Sequence, residues 1–141
     1  GQGENGVFVE GTEYYAFFND FGWTNIDRFY NDPRPKTTIN VEVPEGYNNT
    51  NSAVYLSYDG EDSGLAHLDT YDPESGLFSE HYGQIPIGLE CHLIFVTEEN
   101  GNWRYAVKSV TIAEDDIIGF SFNETDTATE AELTVIINNL P

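Results

Sequence analysis

The chain has 141 residues, a length that suits one domain able to bury a core without disulfides or metal ions. Acidic residues outnumber basic ones by 25 to 5, and the formal net charge of −20 argues against nucleic acid or an anionic membrane as a partner. Solubility outside the cell is the simplest explanation of this charge, with salt adaptation and calcium binding as alternatives. Aromatic residues make up 14% of the sequence and Met is absent, which favours a β-rich interior.

Cys91 is the only cysteine, so the chain cannot form an internal disulfide. Apolar and polar neighbours alternate around it, which predicts a buried thiol on a strand. No apolar run approaches the ~18 residues of a membrane span, and we expect no direct insertion of this domain into a membrane. Gly1 in place of Met indicates a processed or recombinant start, and we expect the chain to be part of a longer protein. Residues 1–6 are small and polar and are expected to form a flexible tail, followed by a single β-sandwich domain at residues 7–141.

The N-terminal part contains two strand candidates and then an aromatic corner. Residues 7–9 and 13–18 have the composition of strands. In the corner that follows, Trp23, Ile26 and Phe29 recur every three residues, which fits neither a strand nor a long helix. We therefore predict a folded connection whose aromatic side chains point into the core.

Small polar residues and prolines complete this corner. Asn25 and Asp27 can hydrogen-bond to neighbouring backbone amides and hold a turn. Arg28 has acidic residues close by, and Pro33 and Pro35 send the chain onward in an extended geometry. The corner is therefore predicted to be structural.

The pattern Gly22-Trp23-x-Asn25-x-Asp27-Arg28-Phe29, followed by an extended Thr/Ile/Val segment, resembles a motif of a largely uncharacterised family of secreted or surface-anchored lipoproteins of Bacteroidota. Weaker similarity continues through residues 54–60, 85–89 and 105–112. The resemblance implies an immunoglobulin-like β-sandwich within a longer secreted or surface protein. It implies no catalytic residues, so the motif is expected to have a structural role.

Residues 37–82 contain strand candidates separated by turn-forming sequences. Residues 37–43 alternate in polarity, which predicts a half-buried strand with Ile39, Val41 and Val43 facing inward. Residues 44–52 are rich in Pro, Gly and Asn and are predicted to form a loop. The other candidates are strands at residues 53–58, 65–70 and 77–82, and turns at residues 59–64 and 72–76.

The clearest hairpin signal lies in residues 89–112. Side chains alternate along both arms, and Asn100-Gly101 between them tolerates the positive φ that a tight turn needs. Residues 83–88 are predicted to be irregular, and residues 116–123 are the last strand candidate. Strands at this spacing predict an antiparallel sandwich or barrel of about seven to nine strands. Together with the resemblance, the predicted fold class is all-β, an antiparallel immunoglobulin-like β-sandwich.

The C-terminal segment differs from the rest. Its apolar residues fall at i, i+3, i+4 and i+7, on one face of a helix: Leu133, Ile136, Ile137 and Leu140. Thr129 and Glu132 have the spacing of a capping box. We predict one short C-terminal helix, and the β-branched residues 134–137 leave a strand as the alternative.

Acid-rich loops are the first candidate site, because calcium prefers oxygen ligands. The acidic residues that lie close in sequence are Asp59, Glu61, Asp62, Asp69, Asp72 and Glu74. They lack the EF-hand spacing, so we expect solvated turns, no metal site and no cofactor. His67, His81 and His92 also lack a zinc-binding spacing, and no nucleophile elbow or phosphate-binding loop is present.

Aromatic side chains are the second candidate, because exposed rings on a rigid sandwich can stack on sugars. Trp103 and Tyr105, beside the predicted hairpin turn, are the best candidates for ligand binding.

We expect a non-catalytic structural or adhesion-like module of a larger protein that is secreted, periplasmic or on the cell surface. A carbohydrate-binding module is the alternative, and a hydrolase is a distant third. The expected partners are other domains of the same chain, surface proteins or glycans.

Overall fold

The computed structural model describes Phe29 and residues 31–58, 65–80 and 85–140. These residues form eleven strands, a 3₁₀ turn and a C-terminal helix. In chain order they are β1 (Lys36–Thr37), β2 (Asn40–Glu42), β3 (Ser52–Tyr58), β4 (Leu65–His67), β5 (Thr70–Asp72), β6 (Leu77–Ser79), β7 (Ile85–Pro86), β8 (Glu90–Glu99), β9 (Asn102–Thr111), β10 (Ile117–Gly119), the 3₁₀ turn (Phe122–Glu124), β11 (Asp126–Ala128) and α1 (Glu130–Asn138).

The larger sheet has five strands in the order β11-β9-β8-β3-β4, and all neighbours are antiparallel. Its centre is the hairpin of β8 and β9, ten residues each, which stay paired up to Glu99 opposite Asn102. Asn100 and Gly101 turn this hairpin with φ angles of 56° and 85°. Both residues take the left-handed conformation that a two-residue turn requires, so the local sequence sets the register.

The smaller sheet has four strands in the order β10-β2-β6-β5. The hairpin of β5 and β6 turns through Gly76, whose N–H donates to the carbonyl oxygen of Asp72 at 2.7 Å. β10 is parallel to β2, with Ile118 opposite Val41, and this is the one parallel pair among the described strands. β1 and β7 form a separate two-stranded ladder.

The two sheets pack against each other across a hydrophobic cluster, and together they make a β-sandwich. The five-stranded sheet contributes Val54, Leu56, Leu93 and Phe95, and the four-stranded sheet contributes Val41, Phe78 and Ile118. Adjacent residues on β8 alternate between this cluster and a second one on the opposite face, as Phe95 and Ile94 illustrate. The centre of the five-stranded sheet is therefore buried on both faces, which explains the continuous apolar runs at residues 53–56 of β3 and 93–96 of β8.

α1 covers part of that second face. The Glu132 N–H donates to Oγ1 of Thr129 at 3.2 Å, and the Thr129 N–H donates to Oε1 of Glu132 at 2.9 Å. Leu133 and Ile137 are 0% and 5% exposed and pack in the second cluster with Trp103. The capping box and the apolar face that predicted this helix are thus confirmed.

The prediction of an all-β fold with antiparallel sheets and a C-terminal helix is confirmed. The strands are more numerous than expected, because predicted strands divide between sheets and because β7 forms within residues 83–88, which were predicted to be irregular. Residues 37–43 give both β1 and β2, which pair in different sheets, although Ile39, Val41 and Val43 are all buried as their alternation indicated.

Three strand predictions need correction. The candidate at residues 116–123 forms a strand only at β10, which is parallel to its neighbour and is followed by β11. The candidate at residues 65–70 divides into β4, which pairs with β3, and the start of β5 in the other sheet. The candidate at residues 77–82 forms β6 over Leu77–Ser79 and leaves the strand at Glu80, while residues 81 and 82 lie outside the described part of the chain. The predicted tail at residues 1–6, the strands at residues 7–9 and 13–18 and the turn at residues 59–64 lie outside the described residues.

Candidate functional site

The described residues contain a groove at the end of the parallel strand pair. β2 and β10 run side by side and end at Glu42 and Gly119, which are partners in the register. Where neighbouring parallel strands end, the following segments lead to different places and leave a crevice between them. The crevice here has a volume of about 500 Å³ and is lined by Glu42, Val43, Pro44, Glu45, Phe120, Ser121 and Phe122. We call it the β2–β10 groove.

The floor of the β2–β10 groove is apolar and fixed in place. Val43 and Phe120 are 8% and 4% exposed and belong to the cluster between the two sheets. The Phe120 N–H donates to the carbonyl oxygen of Glu42 at 2.8 Å, which ties the two walls together. A Cβ atom on Gly119 would lie 3.5 Å from Oε1 of Glu42, so this carboxylate lies over the end of β10.

Phe122 forms an aromatic wall of the groove. It is 54% exposed, and the guanidinium carbon of Arg104 lies 4.5 Å from the centroid of its ring, a cation–π contact. Nε of Arg104 donates to Oε1 of Glu99 at 3.0 Å, and an Nη donates to Oγ1 of Thr125 at 2.9 Å. The ring is therefore held against a fixed cation.

Glu99 connects Arg104 to Tyr47. The Tyr47 hydroxyl donates to Oε2 of Glu99 at 2.6 Å, so both oxygens of this carboxylate accept hydrogen bonds. These bonds, first from Tyr47 and then from Arg104, lower the pKa of Glu99. Burial and then the bond to Glu99 raise the pKa of Tyr47. At neutral pH the carboxylate is thus ionised and the phenol neutral.

Lys108 supports the groove from a nearby position on β9. Its Nζ lies 3.3 Å from Oε2 of Glu124, donates to the carbonyl oxygen of Gly119 and lies 5.2 Å from the centroid of Phe120. The Ser121 N–H donates to Oε1 of Glu124 at 3.0 Å, and this bond, ahead of the contact with Lys108, lowers the pKa of Glu124. The 3₁₀ turn that carries Phe122 is therefore tied to the larger sheet.

Among the described residues, the carboxylates that line the groove lack such cationic partners. In the part of the chain that the structure describes, the basic side chains contact other groups: Arg34 contacts Asp32, Lys36 contacts backbone carbonyl oxygens, Arg104 contacts Glu99 and Lys108 contacts Glu124. Within the same residues, Glu42 and Glu45 are exposed and form no ion pair. The groove therefore combines an oriented aromatic ring, an apolar floor and two unpaired negative charges.

Trp103 and Tyr105, the ligand-binding residues expected from the sequence, lie elsewhere. Both contribute to the second cluster, on the face of the five-stranded sheet that α1 covers. Trp103 is 6% exposed, so its ring has no free face for a sugar, contrary to the exposed ring that was expected. Tyr105 is half-buried, and burial raises the pKa of its hydroxyl, with smaller contributions from Asp126 and Glu132. Ligand binding by Tyr105 stays a prediction.

Of the motif in the aromatic corner, the structure describes Phe29. This residue is 5% exposed, and its ring centroid lies 5.0 Å from that of Tyr58 in the core. The other motif residues lie outside the described part of the chain: Gly22, Trp23, Asn25, Asp27 and Arg28. Their structural role stays a prediction.

Among the other candidate groups of the sequence, Asp72 stabilises a turn and Cys91 is buried in the core. Asp72 accepts hydrogen bonds from the Glu74 N–H and the Ser75 hydroxyl, both at 3.0 Å, within the turn between β5 and β6. No three His, Cys, Asp or Glu side chains in the described ranges are placed to hold a metal ion. Cys91 is buried as predicted, and burial raises the pKa of its thiol to about 12. Within those ranges no helix is long and apolar enough to span a membrane.

Comparisons of this chain with protein-family models, with curated proteins and with solved structures found no match. The groove is therefore interpreted from its own chemistry.

Sequence reasoning missed the groove residues. The prediction for residues 116–123 assigns Phe122 to a strand, and the prediction for residues 37–43 treats Glu42 as an outward polar residue without a role. An aromatic residue between Ser121 and Asn123 is the signal that could have indicated an exposed ring. Its proximity to Glu42 depends on long-range strand pairing, which no local pattern reveals.

Proposed function

We propose that the chain is a non-catalytic structural or adhesion-like module of a larger extracellular or surface protein. Binding without chemical conversion is the role that the β2–β10 groove supports best. The observation that carries this proposal is the exposed ring of Phe122, which Arg104 holds in one orientation beside a groove with an apolar floor, and the directions of the pKa shifts agree with it.

Each pKa shift found among the described side chains moves the pKa of the group away from neutral pH. The pKa is lowered for Asp32, Glu99, Glu124 and His67, and raised for Arg34, Tyr47, Cys91 and Tyr105. A general acid or base works best with a pKa near the working pH, and a carboxyl, phenol or thiol group reaches it only by a shift in the opposite direction. These groups are therefore held in a single charge state, as suits fixed contacts.

A secreted, periplasmic or surface location is part of the same proposal. It is supported by the resemblance of the motif at residues 22–29 to surface proteins and by the excess of acidic residues, which keeps a domain soluble. An immunoglobulin-like topology of the two stacked sheets is proposed on the basis of the same resemblance.

Two assays on the purified protein test the proposal. In the first, the protein is incubated with chromogenic glycoside, ester and peptide substrates, and we expect no turnover above that of a heat-treated sample. In the second, beads coated with the protein are passed over surfaces carrying proteins or glycans, and we expect retention that the free protein competes away. Turnover that disappears on substitution of one carboxylate would overturn the non-catalytic role. Absence of retention would remove the adhesion-like role.

Carbohydrate binding is the second candidate, because Phe122 presents an exposed ring in a defined orientation. A glycan array with the parent protein, Phe122→Ala and Tyr105→Ala tests it. Competable binding that is lost in Phe122→Ala and kept in Tyr105→Ala would locate a sugar in the groove. Loss in Tyr105→Ala alone would favour the site expected from the sequence, and absence of binding would remove this candidate.

A further inference from the structure

We propose that the β2–β10 groove binds the side chain of an arginine or lysine in a basic segment of a partner protein. This inference rests on the binding role proposed above and specifies the class of partner. Charge, the aromatic ring and the apolar floor each support it.

The charge of the groove selects a cation. Glu42 and Glu45 are exposed and form no ion pair within the described residues, whose basic side chains contact other groups. A cationic side chain between them would supply a counter-charge, whereas an acidic partner would be repelled. The net charge of −20 also raises the local concentration of basic segments near the surface.

The protein itself displays this mode of contact on the same ring. Arg104 places its guanidinium 4.5 Å from the centroid of Phe122, with Oε1 of Glu99 3.0 Å from its Nε. The groove offers the same two kinds of group, an aromatic ring and carboxylates, to a cation from outside. Because Glu99 neutralises Arg104, an incoming cation does not face an unbalanced positive charge across the ring.

The floor of the groove suits the aliphatic part of such a side chain. Val43, Pro44 and Phe120 give an apolar lining, against which the methylene groups of arginine or lysine can pack while the charged end stays near Glu42 and Glu45. A neutral sugar could stack on Phe122, but it would leave both negative charges uncompensated. The observations therefore favour a basic peptide over a glycan.

A peptide titration followed by NMR tests the inference. The probe is the capped pentapeptide Gly-Ser-Arg-Ser-Gly, and its control carries citrulline, the neutral isostere, in place of arginine. The amide resonances of Glu45, Ser121 and Phe122 are followed at physiological salt, where diffuse attraction is screened. We expect them to shift with the arginine peptide, with a dissociation constant on the order of 1 mM, and we expect the citrulline peptide to bind at least about fivefold more weakly.

Matched variants separate the groove from the general acidity of the surface. The double variant Glu42→Gln/Glu45→Gln should weaken binding about fivefold, and Phe122→Leu about threefold. The control Glu90→Gln/Glu114→Gln removes the same charge at exposed positions outside the groove and should weaken binding less than about twofold.

Three outcomes would overturn the inference. In the first, the two double variants weaken binding equally, which would indicate diffuse attraction. In the second, neither peptide shifts the groove resonances. In the third, maltohexaose and cellohexaose shift these resonances while the arginine peptide does not, which would assign the groove to a glycan. Binding of a glycan in the groove would overturn the arginine inference but would agree with the proposed non-catalytic binding role. Substrate turnover in the assays above would overturn that proposed role without testing the binding of arginine.

Discussion

His67 lies on β4, with the centroid of its ring 5.2 Å from that of Tyr55. Burial lowers its pKa from 6.5 to about 4, and Asp69 offsets part of this effect. In the unfolded chain the imidazole takes up a proton near its ordinary pKa, so between these two values the unfolded state binds more protons than the folded state. The free energy of unfolding therefore falls as the pH is lowered through this window, by up to about 3 kcal/mol.

We expect His67→Gln to reduce this pH dependence. Urea unfolding of the parent and the variant is measured at about pH 7, 6 and 5, and the carboxylates titrate in both proteins and cancel in the comparison. Between about pH 7 and pH 5 the parent should lose roughly 2 kcal/mol more stability than the variant. Equal losses would show that the imidazole is not held neutral by the fold.

Cys91 gives a second prediction for a single residue. It is 4% exposed, and burial raises the pKa of its thiol to about 12. Only the thiolate attacks disulfide reagents, and near pH 8 its population should be roughly a thousandfold below that of an ordinary protein thiol. We expect Ellman's reagent to label the native protein only as slowly as it unfolds, and to label it at once in concentrated urea. Fast labelling in native buffer would contradict the buried position.

At the scale of single elements, the capping box makes α1 separately testable. Thr129→Ala removes the oxygen that accepts the Glu132 N–H and should lower the free energy of unfolding by about 1 kcal/mol. The matched control is Thr134→Ala, because Thr134 lies inside the helix and its hydroxyl donates to the carbonyl oxygen of Glu130 at 2.9 Å. Alanine is favoured at such an interior position, so this change should be neutral or stabilising. Equal losses of unfolding free energy in the two variants would show that the cap does not stabilise the helix.

Elements whose signals are local could be predicted from the sequence. The turn at Asn100 and Gly101, the capping box of α1 and the alternation that buries Ile39, Val41 and Val43 all depend on residues a few positions apart. Pairing between distant segments has no such signal. The division of residues 37–43 between two sheets and the parallel pairing of β10 with β2 were therefore not predictable.

The groove illustrates the same limit at a candidate site. Glu42 and Phe122 are distant in sequence and are brought together by the pairing of β2 with β10. Trp103 is a large aromatic residue beside a turn and was therefore predicted to bind a ligand, but it lies on the face that α1 covers. Which face of a strand receives a helix depends on tertiary packing, so composition alone does not distinguish a buried ring from a binding ring.

For the whole molecule, the arrangement of layers determines what remains available for binding. The five-stranded sheet has a hydrophobic cluster on each face, one shared with the smaller sheet and one with α1. Its broad faces are therefore used in packing. The groove lies instead where two strands of the smaller sheet end, and Arg104 and Lys108 of the larger sheet hold its aromatic wall in place. The exposed side chains of this edge, Glu42, Glu45 and Phe122, can change without disturbing the core, whereas the floor residues Val43 and Phe120 belong to it.

The net charge of −20 also acts on the whole molecule. Folding brings the acidic residues closer together, so their mutual repulsion favours the expanded, unfolded chain. Salt screens this repulsion, but it also weakens ion pairs such as that of Arg104 with Glu99. Partly exposed pairs contribute little, so the change in repulsion should dominate.

We therefore expect the urea midpoint to rise when NaCl is increased from about 20 mM to about 500 mM, with a gain in stability on the order of 2 kcal/mol. Glu90→Gln/Glu114→Gln, which removes two exposed negative charges, should start from a higher midpoint at low salt and gain less from added salt. A midpoint that falls as salt is added would mean that the ion pairs outweigh the repulsion, and that the acidic surface does not limit the stability of the fold.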